Sequence, residues 1–164
     1  GKAELIQRLK RNPLKRAIRC DKMTLAALDT VLAFYENPER LAEEVPSIRL
    51  LSRTQDDIRM QAQSVANALR PILAGRLDID VIDCKSQIGS GALPVDSLPS
   101  AALAMVPVLS GRKSVGGALK RLAADLRRLA IPVIGRIEDD RLLLDLRCLD
   151  DEAAFIGQFK DFSG

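Results

Sequence analysis

Histidine is absent from the 164 residues of this chain, and its absence excludes two common kinds of active site. Neither a Ser-His-Asp triad nor a histidine-ligated zinc site can be built from these residues. Histidine is also the side chain used most often for general acid–base catalysis. Any proton transfer must therefore use Lys, Asp, Glu, a cofactor or residues outside this chain, and we predict no metal site.

Aromatic residues make up only 3% of the chain, and tryptophan is absent. This scarcity argues against nucleic-acid-binding modules that stack bases on aromatic rings. The formal net charge of +3 is also too small to indicate nucleic-acid binding by itself. The apolar fraction of 47% is rich in Leu, Ile, Val and Ala, which is typical of helices packed on a sheet.

The sequence contains no apolar run of membrane-spanning length and no signal peptide. Its three cysteines, Cys20, Cys84 and Cys148, are far apart and form no CxxC pair. We therefore expect free thiols, a cytoplasmic location and no membrane partner. Cys84 and Cys148 are interpreted as small hydrophobic residues. Cys20 lies among cations that would lower its pKa, so a redox or nucleophilic role stays open for it.

Residues 1–75 are predicted to be helical. Apolar spacing indicates a short amphipathic helix over 3–11 and a stronger one over 22–35, for which Asp21 is a plausible N-cap. A polar connection follows, and a capping box that begins at Thr54 opens a third helix over about 55–73.

Residues 76–164 are predicted to form a small α+β domain with a mostly antiparallel sheet and helices on one face. The predicted elements are strands at 78–83 and 101–108, a helix over 114–129, a hairpin of 133–137 with 142–146, and a final helix that begins near Asp150.

A basic run, Lys15, Arg16, Arg19 and Lys22, lies between the first two helices. Arg16 and Arg19 are three residues apart, so on a helical turn they would lie on the same side. Two guanidinium groups placed in this way suit a phosphate-like oxyanion. The alternative is a solvated basic helix start with no ligand.

Two weaker candidate sites lie in the second half. The small residues Gly89, Ser90 and Gly91 form either a flexible connection or a loop whose backbone approaches a ligand closely, and they match no phosphate-binding fingerprint. Arg136 lies within an apolar strand. It either extends to the sheet edge or faces a carboxylate or phosphate.

The whole chain resembles the C-terminal part of the bacterial selenocysteine synthases, the L-seryl-tRNA(Sec) selenium transferases. Three strings carry the resemblance: GKAELIQRLKRNPLKRAIRCDKMTLAALDTVL at 1–32, SQIGSGALPVDSLPSAAL at 86–103 and PVIGRIEDDRLLLDLRCLDDE at 132–152. Long strings in the same order are much more specific than any single short motif.

The resemblance implies an α/β fold of type I, as in pyridoxal-phosphate transferases. Residues 1–75 would be the end of the large domain with its connecting helices, and 76–164 the small C-terminal domain. The lysine that binds pyridoxal 5'-phosphate would lie before this chain, and Lys2 does not match it. We therefore expect an N-terminally incomplete fragment that contains no catalytic residue and is inactive alone.

The resemblance also implies the reaction and its partners. The enzyme would convert seryl-tRNA(Sec) into selenocysteinyl-tRNA(Sec) with selenophosphate, as a homo-oligomer. Arg16 and Arg19 would correspond to arginines of the selenophosphate pocket. Small-domain residues line the cleft in fold-type I enzymes, which would place Arg136 and the Gly89–Gly91 loop near the site. The competing hypothesis is a freestanding basic α+β module that binds RNA or protein.

Overall fold

The computed structural model describes residues 1–87, 97–109, 114–160 and 162, and it divides into two compact units, Gly1–Arg49 and Leu50–Gly164. The helices are α1 Ala3–Arg11, α2 Lys22–Phe34, α3 Leu41–Glu44, α4 Pro46–Ser52, α5 Gln55–Ile72, α6 Val115–Arg127 and α7 Glu152–Gly157, with 3₁₀ turns at Pro13–Arg16 and Pro38–Arg40. The strands are β1 Leu77–Gln87, β2 Ser97–Pro107, β3 Arg136–Glu138 and β4 Arg141–Asp145.

The first unit, Gly1–Arg49, is helical, and the two predicted helices α1 and α2 are confirmed. The Asp21 carboxylate accepts a hydrogen bond from the Thr24 backbone N–H at 2.8 Å, so the predicted N-cap is confirmed as well. The region after α2 differs from the predicted polar connection, because it forms one 3₁₀ turn and two short helices, α3 and α4. No residue of this unit is buried.

The second unit, Leu50–Gly164, begins within the last turn of α4 and continues into the long helix α5. The Thr54 hydroxyl accepts a hydrogen bond from the Asp57 N–H at 3.2 Å, as the capping-box pattern predicts, and it also donates one to the Asp57 carboxylate at 2.6 Å. The chain leaves the helix through Gly75, whose φ of 73° lies in the left-handed region that favours glycine.

All pairs in the four-stranded sheet are antiparallel, and the strand order is β1-β2-β4-β3. The predicted hairpin is confirmed, with Asp139 and Asp140 both at positive φ in its tight turn. Its first strand is shorter than predicted, because the Val133 N–H donates to the end of α6 instead of to β4. A Cβ atom at Gly135 would lie 2.7 Å from the Leu143 carbonyl oxygen, so only glycine permits this close entry into the strand.

The core lies between one face of the sheet and the three helices α5, α6 and α7. Its fully buried members include Ile58 and Leu69 from α5, Leu103 from β2 and Leu119 from α6. The opposite sheet face carries a smaller cluster built from Ala102, Ala104 and Leu143. The α+β architecture with helices on one face is therefore confirmed.

The boundary between the compact units differs from the boundary between secondary-structure types. Helices end at Ile72 and strands begin at Leu77, close to the predicted change at 75/76. The compact units instead divide after Arg49, because α5 packs on β1 and β2. The assignment of 1–75 and 76–164 to two domains of a larger enzyme stays a prediction.

Candidate functional site

The basic run begins in a capped 3₁₀ turn, Pro13–Arg16. The Asn12 side chain accepts a hydrogen bond from the Leu14 N–H at 2.9 Å, and Pro13 occupies the position where no backbone donor is needed. The Lys15 ammonium donates to the Lys10 carbonyl oxygen at 2.5 Å. Local capping thus fixes the backbone at the start of the basic run.

Arg16 and Arg19 do not share a helical turn, which corrects the geometry assumed from their spacing. Arg16 is the last residue of the 3₁₀ turn, whereas Arg19 follows a hydrogen-bonded turn at 17–18 and lies in irregular backbone before α2. The backbone does not continue as a helix because Asp21 starts a new one with its own cap. Both side chains are exposed, and among the described residues neither forms an ion pair or a hydrogen bond.

Asp21, the acidic residue next to these arginines in the sequence, already accepts a hydrogen bond from another residue. The Thr24 backbone N–H lowers the pKa of the Asp21 carboxyl, which stays ionised as the cap of α2. The exposed cations of the basic run therefore have the chemistry of an oxyanion site, and their role in binding one stays a prediction.

Arg136 lies in a groove on the sheet face opposite the helices. The groove has a volume of about 840 Å³, and its lining includes Ile82, Cys84, Arg136, Glu138, Arg141 and Leu143. The Arg136 Nε donates to the Glu138 carboxylate at 2.8 Å, and this bond raises the pKa of the guanidinium. Arg136 thus faces a carboxylate of its own chain through its Nε.

Cys84 lines the same groove and is partly buried. Burial raises the pKa of its thiol, and the nearby Asp145 charge raises it further, while Arg136 acts in the opposite direction. The net effect keeps the thiol protonated at neutral pH, which disfavours its use as a nucleophile. This agrees with its interpretation as a small hydrophobic residue.

Among the described residues, the most extensive polar network surrounds Arg147, which was not among the predicted site residues. Its guanidinium is buried and donates to Ser86 Oγ and to the carbonyl oxygens of Leu50, Leu51, Arg53 and Pro99, at 2.5–3.2 Å. The Arg53 guanidinium in turn donates to the Arg147 carbonyl oxygen at 2.9 Å. We call this reciprocal pair the arginine clasp.

The Asp145 carboxylate completes the network. It accepts hydrogen bonds from Ser86 Oγ at 2.6 Å, from Ser100 Oγ at 2.7 Å and from the Arg147 N–H at 3.1 Å. A sequence signal existed, because Asp145 and Arg147 interrupt the apolar string LLLDLRCL. Charged residues inside such a string are buried only when they are paired. The clasp fixes the start of α5 to the end of β4.

The Gly89–Ser90–Gly91 loop lies outside the described residues, so its predicted role is not addressed by the structure. No helix in the described parts of the chain combines the length and the apolar character that crossing a bilayer requires. In those same parts no cluster of Cys, Asp and Glu side chains has the arrangement of a metal site.

Comparison with known proteins gives one consistent family. The family profile SelA, L-seryl-tRNA selenium transferase, matches residues 1–150. The L-seryl-tRNA(Sec) selenium transferases of Escherichia fergusonii, Escherichia coli O139:H28 and Shigella boydii serotype 18 are each 53% identical to this chain over 156 residues. These alignments cover 95% of the chain, which spans about a third of the length of these curated relatives (33%). The chain belongs to the L-seryl-tRNA selenium transferase family.

Proposed function

We propose that this chain is the C-terminal portion of a pyridoxal-phosphate-dependent selenium transferase. The whole enzyme would convert seryl-tRNA(Sec) into selenocysteinyl-tRNA(Sec) with selenophosphate, in the cytoplasm and as a homo-oligomer. The observation that carries the proposal is the 53% identity over 95% of the chain to relatives of that name. The alternative, a freestanding RNA- or protein-binding module, is supported only by the basic first helices.

The described lysines do not fit a pyridoxal-phosphate anchor. Such a lysine is held in a desolvated pocket, where it forms a Schiff base with the cofactor. All seven lysines in the described parts of the chain are exposed: Lys2, Lys10, Lys15, Lys22, Lys85, Lys120 and Lys160. We therefore propose that the cofactor binds to a lysine elsewhere in the enzyme and that this chain is inactive alone.

Within the proposed enzyme, Arg16 and Arg19 bind selenophosphate. Selenophosphate is a small multivalent anion, and the planar guanidinium group pairs with such anions through two parallel hydrogen bonds. The exposure of both side chains and the absence of an ion pair at either, among the described residues, support this role. Arg136 and the Gly89–Gly91 loop are proposed as secondary contributors near the cleft.

A chimaeric enzyme tests the proposal. This chain would replace the matching segment of the Escherichia coli relative, and selenium incorporation into tRNA would be measured in cells that lack their own transferase. We expect activity from the chimaera. Arg16→Ala or Arg19→Ala should lower turnover about 100-fold or more while the cofactor absorbance stays unchanged, since each removes a charged partner of the donor substrate.

Arg127→Ala is the matched control, because it removes an exposed arginine from α6 and should leave turnover within about twofold. An inactive but folded chimaera would contradict the transferase assignment. Wild-type turnover in both arginine variants would contradict the selenophosphate role. A stoichiometric borohydride-trapped adduct of pyridoxal phosphate on one lysine of the isolated chain would contradict the missing anchor.

A further inference from the structure

Positive charge is concentrated at the start of the chain. Residues 2–22 contain eight of the 25 Lys and Arg residues but only two of the 22 acids. The rest of the chain therefore has 17 cations against 20 acids, and it is net acidic although the whole chain is net basic. We call residues 2–22 the basic segment.

The charge of the basic segment is not neutralised within the described residues. In the described parts of the chain, the ion pairs of Arg40, Arg59, Arg128 and Arg136 all lie outside the segment, and no cation of the segment forms one. Of its two acids, Asp21 caps α2, and Glu4 forms no ion pair with any described residue. All residues of the segment are exposed. A dense and uncompensated set of cations attracts a polyanion.

Helix α1 arranges part of this charge on one face. Its apolar residues Leu5, Ile6 and Leu9 share one side of the helix. Arg8 and Arg11 are three residues apart on a continuous helix, so their side chains are neighbours on the polar face, which also carries Glu4 one turn earlier. In contrast to Arg16 and Arg19, this pair has the helical geometry that lets two guanidinium groups reach adjacent phosphates.

We propose that Arg8 and Arg11 of α1 bind the sugar–phosphate backbone of the tRNA substrate. The inference rests on the proposed function, which makes a tRNA the substrate. It adds a surface of this chain that contacts that tRNA. Contact with the backbone is favoured over base recognition because the basic segment has no aromatic residue for stacking. A lipid surface is the competing partner, because the exposed Leu5 and Leu9 opposite basic residues are also the pattern of interfacial helices, and the vesicle measurement below separates the two partners.

The test measures binding without chemistry. The 164-residue chain is titrated with a fluorescent, unacylated transcript of selenocysteine tRNA between 50 and 200 mM KCl. Arg8→Ala/Arg11→Ala should weaken binding about tenfold at 100 mM KCl and reduce the slope of log K against log[KCl] by about 2. A serine tRNA transcript should lose affinity equally, because backbone contacts carry no sequence information.

Lys120→Ala/Arg127→Ala is the matched control, since it removes two exposed cations from α6 and leaves the basic segment intact. It should change the affinity less than twofold. Three outcomes would overturn the proposal. They are equal losses of affinity in both double variants, unchanged tRNA binding in Arg8→Ala/Arg11→Ala, and no measurable tRNA binding by the parent chain. Tighter binding to vesicles of phosphatidylserine and phosphatidylcholine than to tRNA would also overturn it, in favour of a lipid partner.

Failure here is distinguishable from failure of the proposed function. The double variant leaves Arg16 and Arg19 in place, and the chimaeric enzyme reports selenium transfer separately. If the chimaera transfers selenium but the double variant binds tRNA normally, the α1 surface is wrong and the function stands. If the double variant weakens tRNA binding but the chimaera is inactive, the surface stands and the transferase assignment is wrong.

Discussion

The two compact units differ in what holds their helices in place. The unit Gly1–Arg49 has no buried residue, and apolar side chains such as Leu9, Leu28 and Leu32 are 50–60% exposed. The unit Leu50–Gly164 contains all the core residues, which pack between the sheet and three helices. The first unit thus depends on local capping, whereas the second has a hydrophobic core of its own.

The arginine clasp sharpens the contrast, because it exists only where a core surrounds it. A buried guanidinium is tolerated when every donor has an acceptor, and in the described residues no buried side-chain polar atom lacks a partner. Exposed arginines of the first unit, such as Arg16, need no such acceptors. Burial therefore makes Arg147 structural, and exposure leaves Arg16 available for a ligand.

The largest expected effect is that of Arg147→Met. It removes five hydrogen bonds and leaves the buried Ser86 and four part-buried carbonyl oxygens without this donor, so we expect a loss of about 3–5 kcal/mol in the free energy of unfolding. Arg147→Lys keeps the charge but loses the planar guanidinium group with its several N–H donors. It should therefore retain only part of the stability that Arg147→Met loses. Urea unfolding followed by circular dichroism measures both, and a loss below about 1 kcal/mol would show that the clasp is dispensable.

A pair of leucine variants tests the difference between the units directly. Leu103→Ala opens a cavity beneath the sheet and should cost about 2–5 kcal/mol. Leu28→Ala in α2, where the side chain is half exposed, should change the free energy of unfolding by less than about 0.5 kcal/mol. Similar costs for the two variants, measured in the isolated chain, would contradict the division into a packed unit and an unpacked one.

The cysteines provide a chemical comparison of the same two units. Cys20 of the first unit is exposed, whereas Cys84 of the second is partly buried. Because burial raises the pKa of Cys84 and limits access, iodoacetamide at pH 8 should alkylate Cys20 about tenfold faster or more. Peptide mapping after timed quenching gives both rates, and the difference should vanish in 6 M urea. Equal rates in the native protein would refute this ordering.

The smallest expected effect concerns pH and the cap of α2. The folded pKa of Asp21 is lowered, so its contribution to the helix is present above its unfolded pKa and is lost as pH falls through the folded pKa. Helicity at 222 nm should therefore decrease slightly below about pH 4. Asp21→Asn, which caps without titrating, should lose less helicity between pH 5 and pH 2. Identical acid profiles would show that Asp21 does not control this helix.

The sequence predicted best those features that depend on neighbouring residues. The caps at Asp21 and Thr54 and the hairpin between the last two strands are local signals, and each appears in the structure. The prediction that Arg16 and Arg19 lie on the same side of a helical turn was wrong, because it also relied on local spacing alone. Three-residue spacing places two side chains together only within a continuous helix, and here the 3₁₀ turn ends at Arg16 and Arg19 lies in irregular backbone.

What the sequence by itself determined is the order of helices and strands, the antiparallel α+β class and the family, because short-range capping, periodicity and long matching strings suffice for these. Only the tertiary structure decided which charged residues are buried and which leucines are exposed. Arg147 and Arg16 are the same residue type, and they differ because acceptors distant in sequence surround one guanidinium and water surrounds the other. Burial depends on contacts between residues far apart in the chain, and a local pattern such as the charges inside LLLDLRCL does not identify the partners that make it possible.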